Sequence, residues 1–234
     1  MRASIRLALL ALPAAVLAAC DASSNNAPTN IPAALQLAAG GSQAGIVATA
    51  LANPVVVTVV DAGGNPVPNV AVSFSTASGS GSVSGSTLTT DKAGQASVTW
   101  TLGTLAGTDT LTALVSNGTI ALTQVITATA GAGLPANVVI VSGANQAAAA
   151  GSALPAPIVA QVVDAYGNPV ANATVTWSVA TGSVANATTT TDANGLTSNI
   201  VTLGPSSGAD PVSIVVNVPP GASAVAATVG ENAQ

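Results

Sequence analysis

The 234-residue sequence carries few side chains able to do chemistry. It has no His and one thiol, Cys20, and its cations are Arg2, Arg6 and Lys92. Without imidazole, the usual general base for a Ser, Thr or Cys nucleophile is missing. A Ser–Lys pair would have to recruit Lys92, which sits in the turn sequence Thr90-Asp91-Lys92-Ala93-Gly94. Catalysis and a cofactor are therefore not expected. Zinc lacks its ligands, because one thiol and no imidazole cannot build a four-coordinate site. The acids are Asp21, Asp61, Asp91, Asp109, Asp164, Asp192, Asp210 and Glu231. Calcium takes about six to eight oxygens and usually several carboxylates. One Asp per turn is too few unless turns converge in space; the competing reading is an Asx-turn, in which Asp bonds its own backbone. Sugar binding favours exposed aromatic faces, and past residue 20 the chain has only Phe74, Trp100, Tyr166 and Trp177. Three of these fall on the apolar side of alternating strands. Tyr166 lies in a turn and is the candidate contact residue.

The turns that position these groups occur twice, 103 residues apart. Val60-Asp61-Ala62-Gly63-Gly64-Asn65-Pro66-Val67 returns as Val163-Asp164-Ala165-Tyr166-Gly167-Asn168-Pro169-Val170. Asp caps such a turn through its side chain, Gly supplies positive φ, and Asn-Pro leaves it extended. Val70, Val72 and Phe74 then alternate with Ala71, Ser73 and Ser75, the period of a half-buried strand. The second copy does the same through Val175 and Trp177. Thr90-Asp91-Lys92-Ala93-Gly94 reappears as Thr191-Asp192-Ala193-Asn194-Gly195, and Trp100-Thr101-Leu102-Gly103 as Val201-Thr202-Leu203-Gly204. Repetition at this spacing means two copies of one domain.

These motifs resemble the bacterial immunoglobulin-like group 1 domain of the invasin and intimin type, over most of the chain. Val201 departs from the pattern where the first copy has Trp100, which bears on core packing. The resemblance implies an all-β chain of two tandem immunoglobulin-like β-sandwiches. Independently, short strands at regular spacing argue about seven strands per sandwich. Val72, Phe74 and Trp100 are expected in the first core, and Val175, Trp177 and Val201 in the second. Aromatics are only 2% of the chain, so Val, Ala, Leu and Ile must fill both cores.

In chain order, residues 1–19 read as a processing segment. Arg2 and Arg6 precede a short apolar run, Leu7 to Val16, interrupted by Pro13 and too short to span a bilayer. Leu17-Ala18-Ala19-Cys20 resembles the bacterial lipoprotein lipobox, which implies cleavage before Cys20 and its acylation. The other reading is an ordinary secretory signal with an incidental Cys. Asp21 resembles a retention signal of enterobacterial-type sorting, a rule that varies, so the choice of membrane stays open. Residues 20–31 form the lipidated Cys and a polar tether reaching roughly 36–40 Å at full extension. Residues 32–130 are the first domain, with a Gly/Ser-rich stretch, Ser78 to Ser86, expected to be a mobile loop. Asn117-Gly118 signals a hairpin. Residues 131–134 are a short Gly-containing linker, where some bending is expected. Residues 135–231 are the second domain.

Past the leader, Lys92 is the only cation against all eight acids. Phosphate neutralisation needs clusters of Lys and Arg, so nucleic acid is excluded as a partner, as is electrostatic docking on anionic lipid. The expected function is an envelope-anchored lipoprotein, at the outer membrane or cell surface or on the periplasmic face of the inner membrane. Its domains would act as a spacer or as an adhesive surface. The alternative is a binding module for an extracellular glycan or protein through loops at the sandwich ends.

Overall fold

The computed structural model describes residues 30–116, 118–119 and 121–234; Cys20 and the leader lie outside them. All regular structure in this span is β. The first domain holds β1 (Ala34–Ala39), β2 (Gln43–Ile46), β3 (Val55–Val60), β4 (Ala71–Thr76), β5 (Ser82–Val83), β6 (Thr87–Thr89), β7 (Gln95–Val98), β8 (Trp100–Thr101), β9 (Gly107–Ser116) and β10 (Ala121–Gly131). One sheet has the order β1-β3-β7 and the facing one β2-β10-β9-β4-β6, while β5 pairs with β8. The second domain continues with β11 (Asn137–Ser142), β12 (Ala147–Ala148), β13 (Ile158–Val163), β14 (Thr174–Val179), β15 (Ser183–Val184), β16 (Thr188–Thr190), β17 (Leu196–Asn199) and β18 (Val201–Thr202). It closes with β19 (Gly208–Ala209), β20 (Val212–Val216), β21 (Val225–Val229) and β22 (Asn232–Ala233). Its sheets are β11-β13-β17, β16-β14-β20-β21 and β12-β22-β19, with β15 on β18.

The strands are more numerous than about seven per sandwich because long ones are broken. In the second domain β19 and β20 are separated at Asp210-Pro211, where proline has no N–H for the ladder. Gly230-Glu231 likewise parts β21 from β22. The corresponding strands of the first domain, β9 and β10, run unbroken beside each other from Gly107↔Ala130 to Ser116↔Ala121.

Each sandwich buries one alternating set. Val55, Val57 and Val59 of β3 face Val72 and Phe74 of β4 and Leu111, Ala113 and Val115 of β9, all in one cluster. Val175, Trp177 and Val201 lie in the second cluster, which extends to Ala233 of the last strand. All six residues expected at the core centres are buried.

The exchange of aromatics is coupled to polar partners. Trp100 is fully buried, and its Nε1–H donates to the carbonyl of Ser80 at 2.9 Å. Val201 fills that place in the second domain, and the larger ring sits instead at Trp177, where the first domain has Phe74. A buried indole N–H needs an acceptor. Trp177 Nε1 donates to Thr189 Oγ1 at 2.7 Å, and Thr189 bonds Thr197 at 2.6 Å. The first domain, with no indole there, has Leu88 and Ala96 at those two positions.

Trp100 also explains a departure from expectation. The Gly/Ser stretch expected to be a mobile loop is pinned. Ser80 is buried, its carbonyl accepts from Trp100, its Oγ accepts from the Thr110 amide at 3.0 Å, and β5 pairs with β8.

The paired turns are built as the motif demands. Gly64 and Gly167 have φ of 80° and 86°. Asn117 and Ile120 of the expected hairpin lie outside the described residues, while Gly118 between them has φ of 87°. Gly94 has φ of 71°, and a Cβ there would stand 2.6 Å from the Val59 carbonyl oxygen, whereas a Cβ on Gly64 would meet nothing within 4 Å. Gly64→Ala is therefore expected to cost only the strain of positive φ, about 1 kcal/mol. Gly94→Ala adds a clash with backbone and is expected to cost about 3 kcal/mol. Equal denaturation midpoints for the two variants would show that the close approach at Gly94 is absent.

Candidate functional site

The carboxylates of the four Asp turns are occupied by backbone amides. Asp61 Oδ1 accepts from Gly63 N and Asn65 N, both at 2.9 Å. Asp91 Oδ1 accepts from Ala93 N and Gln95 N at 2.8 and 2.9 Å. Asp192 Oδ1 accepts from Asn194 N and Leu196 N at the same two distances. Asp164 Oδ1 accepts from Tyr166 N and Asn168 N, again at 2.8 and 2.9 Å. This is the Asx-turn reading. Among the described residues no three His, Cys, Asp or Glu side chains converge as a metal site.

The second copy of the Asp-x-x-Gly-Asn turn has an additional task. It faces the first domain. Asn168 Nδ2 donates to the Thr104 carbonyl at 2.8 Å, and its Oδ1 accepts from the Ala106 amide at 2.8 Å. Asp164 Oδ2 accepts from Gly133 N of the linker at 2.8 Å and from Asn168 Nδ2 at 2.9 Å. Asn168 is 5% exposed as a result, while Asn65 in the first copy is half-buried. Burial alone would raise the Asp164 carboxyl. Hydrogen bonds from the Asn168 side chain and from the Gly133, Asn168 and Tyr166 amides outweigh it and hold the group below the ordinary aspartate value. A lowered folded-state value means that Asp164 stabilises this arrangement above the ordinary aspartate range and stops doing so as pH falls through the lowered value. The linker, expected to bend, is held through Gly133 instead.

Tyr166 stands on the same turn and is 51% exposed. It is thus at the seam with the first domain. It borders a groove of about 450 Å³ whose lining includes Val47, Leu134, Pro135, Asp164 and Val225. Leu134 is also largely exposed, at 57%. No cation lines the groove, so it offers apolar walls and a few oxygens rather than a seat for anions.

Two functional-looking residues escape a reading of the sequence. Asn168 is the same residue in the same motif as Asn65, so nothing in the turn itself announces a docking role. Glu231 reads as one more acid, yet it is fully buried. The signal that could have found it is the repeat, because the first domain has Ala128 at the matching position.

Residues 42–129 match the profile of the bacterial Ig-like domain (group 1). The match falls within the first domain, whose motifs resemble the same family. No curated protein matches the chain. Among solved structures, the chain is similar to the D0-D1 domain of intimin, at 22% identity over 86% of this chain and 98% of that one, with a TM-score of 0.34. It is similar to FdeC, an adhesin of Escherichia coli, at 23% identity over 84% of this chain and 62% of that one, with a TM-score of 0.47. It is also similar to invasin, described as a bacterial integrin-binding protein, at 24% identity over 86% of this chain and 40% of that one, with a TM-score of 0.40.

Asn168→Ala removes both side-chain bonds to the 104–106 loop, worth about 1–3 kcal/mol together. The distance distribution between labels on the two domains should broaden, while Asn65→Ala, the matching change in the first turn, should leave it as in the parent. Identical distributions for the two variants would mean that the seam is held by something other than Asn168.

Proposed function

We propose that the protein is a non-catalytic, envelope-anchored spacer whose second domain is carried away from the membrane on the first. The observation that supports this most is the seam. Asn168 and Asp164 tie the second domain and the linker to the end of the first domain by side-chain hydrogen bonds. Two sandwiches coupled in this way transmit position better than two beads on a loose string. Cys20 would supply the anchor through its acyl chains, since two or more chains hold a protein stably where one is marginal. The tether would keep the first domain near the bilayer.

A second reading is favoured by the groove at Tyr166. A Tyr ring beside Leu134 and Pro135 offers apolar contact with a hydroxyl at its edge, at low entropy cost. An extracellular protein or a neutral glycan would suit it better than an anion. Recognition there would depend weakly on salt, because few charges are present to screen.

Replacing Cys20 with Ala tests the anchor. The variant should lose all label from a fatty-acid analogue fed to the cells and should leave the membrane fraction. Labelled Cys20→Ala protein would remove the lipid from the account. For the groove, capture of immobilised glycans and envelope proteins by the whole chain should fall at least tenfold in Tyr166→Ala if the ring is a contact residue. Equal capture by parent and variant would leave the plain spacer.

A further inference from the structure

The second domain buries a carboxylic acid where the first domain has Ala128. Glu231 has no exposed surface. Its Oε2 accepts from the Gln146 amide at 2.6 Å, while Oε1 has no hydrogen-bond partner. The residue stands directly opposite Asp210, because the register Ala209↔Asn232 and Val212↔Val229 places them in line and Asp210 N donates to Glu231 O at 2.8 Å. Asp210 is itself only 2% exposed. In the first domain the pair is Asp109↔Ala128, with no second acid.

The segment that carries Glu231 leads into one of the short strands of that domain. Strand β22 has two residues, held between two residues of β12 and two of β19. Asn232 N donates to Gln146 O at 3.1 Å, Gln234 N to Ala148 O at 2.9 Å, and Ala150 N to Gln234 O at 3.0 Å. The first domain secures the same position with the unbroken strand β10, whose Ala128 to Gly131 lie along Gln43 to Ile46.

We propose that Glu231 makes the seating of β22 pH-dependent: with its carboxyl protonated the strand is held between β12 and β19, and with it ionised the strand opens more often. An ionised carboxylate taken out of water with one oxygen unsatisfied is costly. The groups around it do not relieve the charge. Asp210, on the β19 side, is held ionised by amides of Gly204 and Thr181, against the raising effect of its burial. On the β12 side stand only the amides of Asn145 and Gln146. Residues 135–234 contain no Lys, Arg or His.

The direction follows from linkage. Burial raises the Glu231 carboxyl above the ordinary glutamate value, and the two amides only partly oppose it. The seated state therefore binds the proton more tightly than the released one. Seating is strongest below the ordinary glutamate value and weakens as pH rises through the raised one.

Hydrogen exchange on the whole chain tests this. Protection of the Ala150 and Gln234 amides, corrected for intrinsic rate, should fall about tenfold for each unit by which the carboxyl is raised, as pH rises from below the ordinary glutamate value to well above it. The Val47 amide, which donates to Gly131 O at the matching place in the first domain, should keep constant protection. Glu231→Gln should abolish the pH dependence, and Glu231→Ala, which reproduces the first domain's residue, serves if the glutamine variant does not fold. Constant protection of Ala150 and Gln234 in the parent would overturn the proposal, and so would an unchanged pH dependence in both variants.

Discussion

Every carboxylate in the two sandwiches has to be satisfied without a cation. Lys92 is the only basic side chain among the described residues, and it is exposed in a turn of the first domain. Backbone N–H groups do the work instead. Asp61, Asp91, Asp164 and Asp192 each take two amides of their own turn on one oxygen. Asp109 and Asp210 each take the amide of a glycine six residues earlier, Gly103 or Gly204, at 2.7 Å. Amides aimed at a carboxylate make charge-assisted hydrogen bonds, which are stronger than neutral ones. They also fix the turn that supplies them. In this chain the acids therefore organise the backbone, and the strands start where the acids leave them. Glu231, with one oxygen unmatched, is the exception that shows the rule.

The same economy governs the cores. With so few aromatics, each indole is a structural centre with its own acceptor. Trp100 secures the Ser80 segment, and Trp177 is matched by Thr189 and Thr197. Moving the large ring from one sheet to the other between domains required both the shrinkage at Val201 and two hydroxyls in place of Leu88 and Ala96. Thr189 and Thr197 are thus packing partners of one N–H.

Much of this was legible in the sequence. Asp-x-x-Gly-Asn-Pro announced the turns, alternation announced the strands, and the six expected core residues are buried. The illegible parts depend on neighbours distant in the chain. Asn65 and Asn168 are one residue in one motif, and only the loop at Thr104 to Ala106 gives the second its docking role. Ser80 sits in a Gly/Ser run that reads as loose until Trp100 is placed across from it. Glu231 is inside because pairing sets it opposite the buried Asp210, between β21 and β22, and a lone acid in a sequence ordinarily reads as solvated. One repeated device lies outside the turn motifs. Gln43 and Gln146 each bridge two strand ends, bonding the carbonyls of Gly40 and Asn53 or of Gly143 and Ala156.

The scarcity of cations has a consequence beyond electrostatics. Enzymes that cleave peptides after Lys or Arg find one candidate bond in everything from Leu7 to Gln234, the one following Lys92. That bond lies in a turn whose flanking amides, Ala93 and Gln95, are tied to Asp91 and whose Gly94 is packed against Val59. A chain exposed to trypsin-like digestion outside the cell would therefore present one defended site rather than many. The scarcity of Lys and Arg would thus limit digestion by proteases of that one specificity.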